Sequence, residues 1–146
     1  MKWTALRIQD AEQSDLWRVR TSRRMVEVRV LPGPDLVLRL EKAVAEQLGR
    51  PLRPPPEPAR WSIEVSSWSH GDIFELEQDT VWTVVDQSSG KPLWEFTGGT
   101  SHVLEGGAWS ASTGAHGVDE VTLGADGRHV LARNSDEVTC WPLPRP

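Results

Sequence analysis

From Asp15 to Gly33 the chain reads DLWRVRTSRRMVEVRVLPG, and apolar and polar positions change places with a period of two on either side of TSRR. Trp17 and Val19, then Val26, Val28 and Val30, fall on one face, while Arg18, Arg20, Glu27 and Arg29 fall on the other. Successive side chains of a strand point to opposite faces, so this pattern predicts a half-buried β-hairpin. After PGP the period lengthens. Val37, Leu40, Val44 and Leu48 recur at helical spacing, which predicts a helix with Asp35 as N-cap, Gly49 as its stop and Pro51 just beyond.

The segment RPLRPPPEPAR, residues 50–60, carries Pro at 51, 54, 55, 56 and 58. Each ring fixes φ and removes a backbone donor, so this stretch predicts an extended linker or strap. Beyond it the period of two returns in RWSIEVSSWS, DIFELEQD, TVWTVVDQ and LWEFTGG, with QSSGKP as a turn. The Gly-rich GGTSHVLEGGAWSASTGAHG is loop-prone, and DEVTLGADGRHVLARNSDEVTCWPL then predicts three strands joined at ADG and NSD. The expected fold is α+β, predominantly an antiparallel β-meander with an N-terminal hairpin and one helix. Its expected domains are a hairpin and helix over 1–49, the Pro-rich strap over 50–60 and an antiparallel β domain over 61–146.

Two stretches carry a family resemblance. GAHG at 114–117 followed by VDEVTLGADGRHVLARNSDEVTCWP resembles one blade of a WD-repeat β-propeller, with a Gly/His element, a DGR turn, an acidic turn and a strand ending in Trp141. DTVWTVVDQSSGKPLWEF, residues 79–96, resembles the end of one blade and the start of the next, with Val85-Asp86 where the Trp-Asp pair stands. Pro142 replaces the repeat's Asp, and Ala132 stands where a Ser or Thr is usual. Two blades fall short of the roughly four that close a ring, so the expectation is an ordinary meander curled on itself or covered by the helix, the alternative being a propeller fragment that assembles with copies or with another chain.

Charge divides the chain. Residues 1–60 hold 12 Lys/Arg against 8 Asp/Glu, and residues 61–146 hold 4 against 13. The acidic majority would repel a phosphate backbone, so nucleic acid is not an expected partner. No stretch approaches the roughly 20 apolar residues of a spanning helix, so no membrane association is expected. The single Cys140 and an N-terminus without an apolar leader pattern suit a reducing, cytoplasmic setting.

Catalytic and cofactor motifs are absent from the text of the chain. There is no Walker loop, no G-x-G-x-x-G, no H-E-x-x-H and no C-x-x-C, and Ser88-x-x-Lys91 spans the QSSGKP turn instead of a helix. No cofactor and no metal is therefore expected. His70, Asp72, His102 and His116 lie beside strand ends, but their spacing does not specify a ligand set, and loop histidines are mostly idle.

The function these residues favour is non-catalytic protein binding, as by a small immunity protein, adaptor or assembly factor. The expected contact is on loops of the second half, through Trp68, His70, Asp72, Trp82, His102 and Trp109, against another protein, for which the acidic second half favours a basic one. Trp82 shares its face with Val84 and Asp86 and is the candidate for an exposed indole. Arg18, Arg20, Arg23 and Arg24 form a second candidate, for an anion or an acidic partner, beside the plainer reading of a charged strand edge. The alternatives are a carbohydrate-binding module with exposed Trp platforms and a hydrolase using the loop His and Asp residues. Homo-oligomerisation is open.

Overall fold

The computed structural model describes residues 1–9, 14–71, 76–98, 103–104 and 118–145, and only the backbone at 68–71, 76–79 and 103–104. Among them one helix accompanies antiparallel strands in two sheets, the α+β, mainly β architecture that the two periods predict. The chain divides into two units, Met1–Pro56 with Thr122–Pro146, and Glu57–Val121. A single β domain over 61–146 is therefore corrected: the last strands of the chain belong with its first ones.

The first unit's sheet has the order β3-β2-β1-β10-β9-β8, from β1 (Trp3–Gln9), β2 (Asp15–Arg20), β3 (Met25–Val30), β8 (Glu120–Leu123), β9 (His129–Asn134) and β10 (Glu137–Pro142). The chain passes from one unit to the other within β8. Trp3 pairs Cys140, Ala5 pairs Val138 and Val19, and Trp17 pairs Val28, which puts Trp3, Ala5, Trp17, Val19, Val28, Val30, Leu131, Val138 and Cys140 on one face. Helix α1 (Leu36–Leu48) covers that face with Leu36, Val37, Leu40 and Val44, all buried. Each large core side chain so placed contributes about 1.5–3 kcal/mol relative to exposure.

Both ends of α1 differ in how they are made. Gly49 adopts the left-handed conformation, and its N–H and that of Arg50 donate to the carbonyls of Glu46 and Ala45, closing the helix as expected. Asp35 stands at the N-cap position but is itself left-handed and makes no side-chain cap bond, so its capping role is corrected. Arg39 instead fastens the entry to the helix, donating to the carbonyls of Leu31 and Pro34.

Residues 51–56 have no regular secondary structure, but they are held. Arg128 Nη1 donates to the Pro54 carbonyl at 2.8 Å, and Gly127, at φ 68°, lies so near that a Cβ there would stand 3.3 Å from Pro56 Cδ. The strap thus packs on the turn between β8 and β9. That turn is closed by Gly127 N–H donating to the Gly124 carbonyl and Gly124 N–H donating to the His129 carbonyl.

The second unit is a sheet of order β4-β5-β6-β7, from β4 (Trp61–Gly71), β5 (Leu76–Asp86), β6 (Pro92–Thr97) and β7 (Val103–Leu104). Val84 pairs Ile63 and Trp94, and Trp82 pairs Val65 and Phe96, so one face collects Trp61, Trp82, Val84, Trp94 and Phe96. DIFELEQD and TVWTVVDQ are not two strands, since β5 runs unbroken from Leu76 to Asp86.

Candidate functional site

Under the helix, the apolar stripe contains one acid. Glu41 lies one turn beyond Val37 and only 3% of its surface is exposed. Such a position is apolar by geometry, and a carboxylate there must find partners or shift its titration. Its Oε1 accepts the Ala125 N–H at 2.8 Å, from the β8–β9 turn. Oε2 is buried with no hydrogen-bond partner.

The same turn supplies Asp126, 4% exposed, whose Oδ1 accepts the Arg128 N–H at 2.9 Å, the local bond that makes Asp a turn residue. His129 opens β9 and is half-buried, with Nδ1 at 3.2 and 3.1 Å from the two Asp126 oxygens. One ligand-type atom from each of Glu41, Asp126 and His129 lies within 4.8 Å of the others. Gly124 makes the space between them, because a Cβ there would collide with Glu41 Oε2 and come within 3.3 Å of Asp126 Oδ1.

Electrostatics follow from that enclosure. Burial pushes the Glu41 carboxyl above its ordinary value, the Ala125 N–H opposes the shift, the Asp126 charge adds to it and His129 opposes it. The Cys140 thiol is likewise pushed well above the usual thiol range, chiefly by burial and also by the charges of Glu41 and Asp126. A buried thiol held protonated is a poor nucleophile.

The second region is the solvent face of β1–β3. Leu6 pairs Arg18, Arg18 pairs Glu27, and Thr4 pairs Arg20, which pairs Met25. Leu6, Ile8 and Met25 are 49%, 38% and 50% exposed, and Arg18, Arg20 and Arg29 are exposed beside them. The Thr21 hydroxyl accepts the N–H groups of Arg23 and Arg24, which shapes the turn and leaves both side chains exposed. Arg18 pairs with Glu27 at 3.2 Å, Arg24 donates to the Gln47 carbonyl at the end of α1 without an ion pair, and Arg20, Arg23 and Arg29 likewise have no ion pair among the described residues.

The other expected site residues separate from these. Trp68 and His70 lie on β4, where only the backbone is described; Asp72, His102, Trp109 and His116 lie outside the described residues. Trp82 is half-buried and packs against Gly98, where a Cβ would stand 3.3 Å from its ring, which corrects the expected exposed indole. Trp3, Trp17, Trp61, Trp94 and Trp141 are all buried. Among the described residues, then, the indoles build cores.

Sequence reading did not bring Glu41, Asp126 and His129 together, although one signal was present. An acid four residues after Val37 and three before Val44 interrupts the apolar stripe and marks a buried charge. No protein-family model matches the chain, no curated protein matches its sequence and no solved structure matches its fold.

Proposed function

We propose that this chain is a non-catalytic protein-binding module, of the immunity-protein, adaptor or assembly-factor kind, and that an acidic protein docks on the solvent face of β1–β3. The observation that carries this reading is the interleaving there of exposed Leu6, Ile8 and Met25 with Arg18, Arg20 and Arg29. Scattered exposed apolar residues need no explanation, but here Leu6 on β1 and Met25 on β3 flank Arg18 and Arg20 on β2 between them, with exposed Ile8 at the β1 bulge, and such a mixture of apolar side chains with Arg has the composition of a protein interface. Leu and Met side chains have little to offer a phosphate backbone and much to offer a polypeptide, which favours protein over nucleic acid. The first unit carries 14 Lys/Arg against 10 Asp/Glu, so attraction for an acidic partner is supplied by the whole unit as well as by the face.

The test is site-specific capture. A photo-crosslinking residue at position 6 or 25 should trap one acidic protein in the native cell, while the same residue at Val26, on the opposite side of β3, should not. Arg18→Glu with Arg20→Glu should weaken that capture at least tenfold without changing the circular dichroism spectrum. Capture that survives both reversals, or that disappears on nuclease treatment, refutes the reading.

A further inference from the structure

We infer that Glu41, Asp126 and His129 form a binding site for one divalent transition-metal ion of the zinc class. The site is independent of the docking face. Three donors converge: two carboxylates from different elements, buried to 3% and 4% exposure, and an imidazole at the rim. The independent pointer to a ligand is Glu41 Oε2, which is buried, has no hydrogen-bond partner and lies against Gly124 where a Cβ would strike it, a point 3.3 Å from Asp126 Oδ1. Two buried carboxylates repel one another, and among the described residues neither Lys nor Arg pairs with Glu41 or Asp126. A dication between them answers both the orphaned oxygen and the repulsion.

Distances fit this class of ion. Ligands held at about 2.0–2.2 Å around tetrahedral zinc stand about 3.3–3.6 Å from each other. The imidazole-to-Asp126 separations of 3.1 and 3.2 Å are already near that spacing, and the 4.8 Å limit on the whole set leaves a contraction of about 1 Å to bring Glu41 in. Mixed imidazole and carboxylate donors favour zinc-class ions over Mg²⁺ and Ca²⁺, which prefer all-oxygen shells. With Nδ1 turned toward the carboxylates, the half-buried ring leaves the fourth position to water. The Ala125 N–H on Glu41 Oε1 and the Arg128 N–H on Asp126 Oδ1 orient both carboxylates, the supporting bonds that a metal site needs.

The experiment uses the full chain, stripped with chelator and titrated with Zn²⁺ by calorimetry and by thermal melting. One ion per chain should bind, and an excess of about a hundredfold over Kd should raise Tm by about 5–10 °C. His129→Ala removes a rim ligand, and Glu41→Gln keeps the acceptor for Ala125 while removing the anionic oxygen. Each should bind at least tenfold more weakly and lose the Tm increase while keeping the wild-type circular dichroism spectrum. If Glu41→Gln does not fold, His129→Ala decides. Absence of binding by the wild-type chain overturns the inference, and so does unchanged binding in His129→Ala, which would place the ion on other histidines.

Discussion

Gly124 lies against the Glu41 carboxylate so closely that any side chain at position 124 would overlap Oε2. The contact joins helix α1 to the β8–β9 turn, and the Ala125 N–H bond to Oε1 fixes its geometry. Gly124→Ala should therefore destabilise the folded chain by about 1–3 kcal/mol through overpacking. Combining it with Glu41→Ala should cost less than the sum of the two single variants, because the second removes the atom that the first strikes. Urea melts of the four proteins measure the coupling, and strict additivity would show that the contact is not the source of the loss.

Trp141 lies on the opposite face of β10 from Cys140, pairs Val130 across the sheet and is 8% exposed. Replacing it by Ala should cost about 3–5 kcal/mol. Trp82, only half-buried in the second unit, should cost less when truncated in the same way. Chemical denaturation of both variants checks the order, and a Trp141→Ala chain that melts like wild type contradicts the packing.

Strands β2, β3, β9 and β10 and the helix were legible because each is written as a local period bounded by a local turn. The local hairpin pairings were legible too, but the pairings that join these hairpins into one sheet were not. Trp3–Gln9 also alternates, with Trp3 and Ala5 inward and Leu6 outward, but its neighbours are β2 and β10, and nothing near it in the chain announces the pairing of Trp3 with Cys140. The same non-locality hid the polar cluster: Glu41 and His129 become neighbours only when α1 lies across the sheet. Asp35 misled for a local reason, since a preference for capping positions does not decide the backbone conformation there, and a left-handed residue turned its carboxylate to no cap bond. Charge division was legible and sharpens in the structure, because the second unit holds 2 Lys/Arg against 11 Asp/Glu.

Arg128 holds the Pro-rich strap by its bond to the Pro54 carbonyl and also donates to the Asp126 carbonyl at 3.2 Å. Arg128→Ala should cost about 0.5–1.5 kcal/mol for the lost bond to the strap. The local effect should be the larger one. Protease cleavage near Arg53 should accelerate in the variant while global unfolding shifts little, because the strap bears no sheet or helix bonds of its own. Equal cleavage rates would mean that the proline contacts with Gly127 suffice to hold it.

Asp86 closes the β5–β6 turn, and its acidity reports how. Ser88 donates both its hydroxyl, at 2.7 Å, and its N–H, at 2.9 Å, to Oδ1, while Arg60 stands 3.8 Å from Oδ2. These interactions, the Ser88 hydroxyl first, hold the carboxyl below its ordinary 3.8. The folded-state pKa is thus lower than the unfolded one, so the stabilisation is present above pH 3.8 and is lost as pH falls through the depressed value. Side-chain NMR titration should give Asp86 a midpoint below 3.8, moving upward in Ser88→Ala and moving less in Arg60→Ala, whose charge is the smaller cause. Ser88→Ala leaves the backbone N–H in place, so the shift should be partial. A wild-type midpoint at or above 3.8, or a larger response to Arg60 than to Ser88, would show that charge and not the Ser88 bonds governs the turn.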